Sequence, residues 1–182
     1  AVMQLQTIRS RMTDTQDPVV VTVGTFKGGD RENIIASEVE MTGTVRTYSE
    51  KVQEQVIKQM HQLLKGVTES YGASYELEYR KGYPSVINDA ALIRRMQPTL
   101  ERVVGKSNIS HPRPTMGGED FAYFAREIPG FMFWLGGGNE ARGFTSGNHT
   151  ATMDVDEECL KTGVKTMAAL VWDYLEQESA PK

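Results

Sequence analysis

The chain has 182 residues, 39% of them apolar and 24% charged, a balance that can bury a core and excludes a disordered chain. Lys and Arg number 20 against 24 Asp and Glu, and the resulting net charge of −4 argues against nucleic acid as a partner. No apolar run reaches the roughly 20 residues that span a bilayer, and the single cysteine, Cys159, excludes an internal disulfide framework.

Val2, Leu5, Ile8 and Met12 recur at helical spacing from the first residues, with no N-cap before them. This predicts an opening helix that ends near Met12, and a start that is either a frayed, trimmed natural one or that of a fragment whose preceding element is missing. After the turn at 13–18, the β-branched and aromatic run Val19–Phe26 predicts a strand. A second strand is expected over Glu38–Tyr48, where Val39, Met41, Gly43 and Val45 alternate with polar residues and Arg46 falls on the polar face. Ser49 is the expected N-cap of a helix whose stripe is Val52, Val56, Met60, Leu63, Leu64, Val67 and Tyr71, with Gly72 just past its end. Tyr75, Leu77, Tyr79 and Tyr83 alternate with Glu76, Glu78 and Arg80 and predict a third strand, stopped by Pro84. Helix, strand, strand, helix, strand is a ferredoxin-like unit that lacks its first strand.

The second half changes character after Pro84–Asn88. Asn88-Asp89 opens a helix to about Val104, with Pro98 as an expected break or kink. A short helix follows Gly117-Gly118-Glu119-Asp120, with Phe121, Phe124 and Ala125 on one side. The continuous apolar run Phe131–Leu135 suits a strand buried on both faces. The last helix is expected over about 157–176, with Leu160, Val164, Met167, Ala168, Val171 and Leu175 on its core face. The expected fold class is therefore mixed α/β, with domains at 1–86 and 87–182.

Four residues could carry chemistry. His149 lies in a small polar loop after the expected buried strand, and a neutral imidazole is a common zinc ligand, although the pattern alone also suits a plain surface histidine. A catalytic zinc needs about three protein ligands, and His61, His111 and His149 show no metal-ligand spacing, so the first shell looks incomplete. Glu119 stands beside Asp120 at a glycine-rich helix start, where it could orient a substrate or simply complement the helix dipole. Arg46 could hold a carboxylate and Asn33 an oxyanion or carbonyl, or each could be an ordinary solvated or turn residue. Gly136-Gly137-Gly138 lacks the spacing of a dinucleotide fingerprint and reads as a flexible turn. Cys159 reads as a small core residue.

Taken in order, several stretches resemble the lid domain of M20 metallopeptidases, in the branch of N-acyl-amino-acid, hippurate and auxin-conjugate hydrolases. They are Leu5–Arg11, Asp17–Gly24, Gly28-Gly29, Asn33-Ile34-Ile35, Gly43–Thr47, Tyr83-Pro84, Asn88-Asp89, Met116–Phe121 and Asp154–Glu158. The resemblance covers nearly the whole chain and implies most of a ferredoxin-like lid (dimerisation) domain followed by the C-terminal part of a zinc-peptidase-like α/β catalytic domain. It implies a hydrolase that uses a divalent metal, zinc or manganese, to cleave the amide of N-acyl amino acids or small peptides. His149 matches the late metal-ligating histidine. Asn33 and Arg46 match lid residues that face the substrate in similar enzymes, sometimes across a dimer, and Glu119 matches a motif lining the cleft. The general-base glutamate and most metal ligands are implied to lie upstream, so no catalytic residue is expected in this chain, which should be inactive alone. Ala36, Ser37, Gly118, Asn148, Thr150 and Ala151 depart from the family pattern and bear on pocket shape. A homodimer through the lid is expected, in a soluble protein with cytoplasm favoured over periplasm. The alternative is a non-enzymatic α+β dimerisation module; a small-ligand protein built on the glycine loop has no support beyond Gly136–Gly138.

Overall fold

A computed structural model describes residues 1–179. The fold mixes helices with a small antiparallel sheet and divides into two compact units, residues 1–85 with 115–120, and residues 86–114 with the chain from 121 onward.

In the first unit the opening stripe forms α1 (Val2–Thr7), which widens into a π-helical turn over Ile8–Met12. Strands β1 (Val19–Gly28) and β2 (Val39–Thr47) pair antiparallel, and α2 (Glu50–Ser70) follows. Ser49 caps α2 as its sequence position predicts, its hydroxyl accepting from the Val52 amide, and Gly72 adopts φ +64 just beyond the helix. The pairing of β1 with β2 slips by one residue between Val23 and Thr25, which sets a bulge at Gly24. Opposite the slip stands Gly43, where a Cβ would lie 2.2 Å from the Thr22 carbonyl oxygen, so only glycine permits this close approach.

Leu5, Ile8, Val19, Val21, Val52, Val56 and Leu64 form the core of this unit. Ile8 and Val56 are fully buried and draw α1, the sheet and α2 together. The end of the opening helix is closed by side chains: Gln55 and Gln59 of α2 donate to the Met12 carbonyl at 3.3 and 2.8 Å. Tyr71 departs from the expected stripe. It caps the helix with φ −118, outside helical geometry, and its ring is exposed.

The third strand does not form among the described residues. Tyr75, Leu77 and Tyr79 are half-buried and alternate with exposed neighbours, so the period-2 signal is real, and Tyr75 and Leu77 pack on the core. No strand pairs with the segment, and alternation specifies a face but cannot supply a ladder. The sheet therefore has two strands.

The second unit contains α3 (Ala90–Val104), α4 (Phe121–Glu127) and α5 (Glu158–Ser179). Asp89 caps α3, accepting from the Leu92 amide at 2.6 Å. Pro98 does not break α3, which runs continuously to the glycine at 105. In α4 it is Ala122 that is buried, while Phe124 is exposed.

Helices α3 and α5 are joined by polar contacts. Asp173 accepts from the Thr99 hydroxyl at 2.5 Å and from Arg102 at 2.6 Å, and Arg95 reaches Gln177, Glu178 and the Tyr174 ring. The face of α5 turned inward carries Thr166 and Leu170. The expected core stripe is instead exposed at Leu160, Val164, Met167, Val171 and Leu175, because α3 engages the other side of the helix.

Phe131–Leu135 is likewise no strand. Among the described residues its only extended partner is the Asn88 side chain, which donates to the Met132 carbonyl at 2.8 Å and accepts from the Met132 amide at 2.9 Å. Trp134 is 63% exposed, where burial on both faces was expected.

Two consequences can be measured. Ile8→Ala removes a fully buried side chain from the junction of α1, the sheet and α2, and should lower stability by about 2–5 kcal/mol in chemical denaturation. The Thr99 hydroxyl, followed by the Arg102 guanidinium, holds the Asp173 carboxyl below its ordinary 3.8. Its contribution to stability is then complete above that value and is lost as pH falls through the depressed one. Thermal melts at decreasing pH should show this loss in the native chain and less of it in Asp173→Asn.

Candidate functional site

Arg46 is positioned by strand β2, whose alternation turns it away from the core. Its guanidinium donates through Nη1 to the Met116 carbonyl at 2.5 Å. This contact bridges 70 positions of sequence and ties β2 to the 115–120 segment that carries Glu119. The same segment touches Tyr83 at Gly118, where an added Cβ would lie 3.2 Å from the ring. Arg46 and the Glu119 loop are thus brought together in the first unit, with Glu119 half-buried. An Arg beside a carboxylate-bearing loop can bind an anionic group through its remaining donors.

Asn33 is placed elsewhere. It lies exposed in the turn between β1 and β2, just after the Arg31 carbonyl accepts from the Ile34 amide. Arg46 pairs with Val20 at the opposite end of the hairpin. The run of strand from Val39 to Arg46 is about 23 Å at about 3.3 Å per residue. Asn33 lies in the connection beyond Val39, at the far end of the hairpin from Arg46. The distal hairpin exposes apolar side chains among charged ones, with Phe26 62% and Ile35 96% exposed, together with Ile34 and Val39, in a stretch that also carries Lys27, Asp30, Arg31, Glu32 and Glu38.

His149 belongs to the second unit. It stands exposed at the tip of a loop with φ +65, the one non-glycine residue with positive φ among those described. The Thr150 hydroxyl donates to the Gly147 carbonyl at 2.8 Å, and the Ser146 and Thr152 hydroxyls meet at 2.8 Å below the tip. No group of three or more His, Cys, Asp or Glu among the described residues could hold a metal ion. The residues present fit one imidazole donor of a metal site and not a complete site. His61 is engaged otherwise, its Nδ1 lying 3.1 Å from the Tyr75 hydroxyl.

The base of the His149 loop holds a cluster that sequence reasoning missed. Asp156 accepts from Asn139 Nδ2 at 2.6 Å, from Arg142 Nη1 at 2.5 Å and from the Glu158 amide at 3.2 Å. The Asn139 contact, the Glu158 amide and the Arg142 charge together hold its carboxyl below the ordinary carboxylate value, against the opposing effect of burial. In the sequence Asp156 reads only as part of the acidic opening of the last helix. Its partners lie 17 and 14 positions away, beyond any local pattern. Cys159 is half-buried near Gly137.

Known proteins are similar to this chain. The family model described as Peptidase family M20/M25/M40 matches residues 6–173. A Synechocystis protein described as a probable hydrolase is 36% identical over 171 residues, 93% of this chain and 44% of its own. An N-acetyldiaminopimelate deacetylase of Bacillus licheniformis is 37% identical over 169 residues, 92% of this chain and 43% of its own. The crystal structure of a Bacillus subtilis protein described as a dinuclear metal binding peptidase from the M20 family superposes with a TM-score of 0.74 at 27% identity, covering 96% of this chain and 45% of that one. The chain thus spans less than half the length of the relatives it matches.

The Arg46 contact has a direct test. Arg46→Ala should speed amide hydrogen exchange at residues 115–120 by roughly tenfold while leaving the β1–β2 ladder unchanged.

Proposed function

The chain belongs to peptidase family M20/M25/M40, and from that premise we propose that it is part of a metal-dependent amidohydrolase that cleaves the amide bond of N-acyl amino acids or small peptides. The observation that carries this reading is the junction of Arg46 with the Met116–Glu119 loop. It supports the reading because a guanidinium suited to a substrate carboxylate is tied to the backbone of the loop that also carries Glu119.

In this reading Arg46 binds the carboxylate of the amino-acid portion, Glu119 lines the cleft, and His149 is one metal ligand. A divalent metal, zinc or manganese, would supply polarisation of the scissile carbonyl and a more acidic water when bound. The chain's own residues bind and orient. None of Asn33, Arg46, Glu119 and His149 is assigned the role of general base, so the 182-residue chain by itself is proposed to be inactive.

Asn33 is assigned to a partner copy's site. Its separation from Arg46 along the hairpin supports this, as does the apolar arm of Phe26, Ile34, Ile35 and Val39 that surrounds it and could be covered by a second copy. The non-enzymatic module would share this dimer but would leave the Arg46–Glu119 juxtaposition without a use.

The reading is tested by assaying N-acyl amino acid hydrolysis with zinc or manganese, using this chain and a form extended to the relatives' length. The extended form should turn over substrate, and Arg46→Ala should raise its KM by about tenfold or more with a smaller change in kcat. Light scattering should report a dimer that Ile35→Asp weakens. No turnover by the extended form with either metal would overturn the enzyme reading.

A further inference from the structure

The loop that offers His149 is closed in three tiers, and one carboxylate lies under all of them. Just before the loop, Asn139 and Phe144 exchange two backbone hydrogen bonds of 2.9 and 3.0 Å that close the 140–143 turn, and the base tier is the contact of this turn with Asp156 on the far side of the loop. Asp156 gathers this base from the other side: Asn139 Nδ2 and Arg142 Nη1 both donate to it, and its own amide donates to the Gly137 carbonyl at 2.8 Å. Arg142 is in turn laid over the Phe144 ring at 5.3 Å. The middle tier is the Ser146–Thr152 hydroxyl pair, and the tip is the Gly147–Thr150 turn with His149 in the left-handed region.

A histidine at φ +65 adopts a backbone conformation that costs free energy unless its surroundings impose it. The tip itself has one side-chain hydrogen bond and exposed residues, too little to impose anything alone. The Met153 amide also donates to the Thr150 carbonyl at 3.2 Å, and closure of the loop ends adds a constraint that is charged and only 8% exposed at Asp156. Hydrogen bonds to a charged acceptor are about twice as strong as neutral ones.

We propose that Asp156 is a positioning residue for His149: by clamping Asn139 and Arg142 it holds the loop ends together and so sets the direction in which the imidazole is presented. The proposal rests on the reading of His149 as a metal ligand, but the clamp itself needs no metal. Asp156 also accepts from the Glu158 amide at the start of α5, so the loop base and the helix share one anchor. Loop and helix are therefore coupled through a single carboxylate.

The test uses this chain as native protein, Asp156→Asn, Asp156→Glu and Arg142→Gln. Two signals are read: amide hydrogen exchange across residues 144–153, and the strong intraresidue Hα–HN NOE that a positive φ gives His149. Asp156→Asn should raise exchange in the loop by about tenfold or more and weaken the NOE, while protection in α3 is unchanged. Arg142→Gln leaves the contact with α5 in place and should loosen the loop without loosening α5. Asp156→Glu, which keeps the charge, should restore part of the signal. Unchanged loop exchange and an unchanged NOE in both Asp156→Asn and Arg142→Gln overturn the proposal. So does loss of protection throughout the second unit in both, which would make the cluster a general stability element. The metal reading fails separately, if His149→Ala in the extended form leaves zinc affinity unaltered.

Discussion

An extended apolar segment must satisfy both its side chains and its backbone amides, and these two demands are met unequally along this chain. Strands β1 and β2 come nearest to meeting both, through their mutual ladder along the facing edges and through α1 and α2 packed on one face. The 75–83 segment meets the first demand only, with Tyr75 and Leu77 lodged against the core and no strand beside them. Phe131–Leu135 meets neither fully; the Asn88 amide stands in for a neighbouring strand at one residue, Met132, and the rest of the run carries an exposed Trp134. The open face of α5 is the helical counterpart of the same imbalance, an apolar stripe with α3 on its other side.

The same accounting explains how the candidate residues are held. Arg46 satisfies a loop carbonyl 70 positions away and thereby ties down the segment that carries Glu119. Asn33 rides on the far end of a hairpin whose register is pinned by the bulge at Gly24 and the close approach at Gly43. His149 is presented by a loop whose ends are gathered by Asp156. In each case the position is set by contacts made away from the candidate side chain's own neighbours in sequence.

The legible part of the fold was the part with local causes. The cap at Ser49, the stop at Gly72, the cap at Asp89 and the hairpin alternation all follow from interactions within a few residues. Pro98 does not end α3, which runs on to Val104 and is held against α5 through Asp173 and Arg95, contacts that offset the hydrogen bond a proline removes. The amphipathic stripe of α5 misleads. Its periodicity is correct, but a stripe says only that some face is apolar and not that another element of the chain covers it.

The amino-acid sequence by itself determined the secondary elements with local signals, the family, and the residue types at 33, 46, 119 and 149, because periodicity, capping chemistry and motif order are written in neighbouring residues. Tertiary structure alone decided which of them meet. Arg46 reaches Met116, Asn33 is carried away down the hairpin, and Asp156 closes the loop beneath His149. These are contacts between positions 14 to 70 apart, formed when packing brings distant donors and acceptors to one place, and no local pattern encodes them.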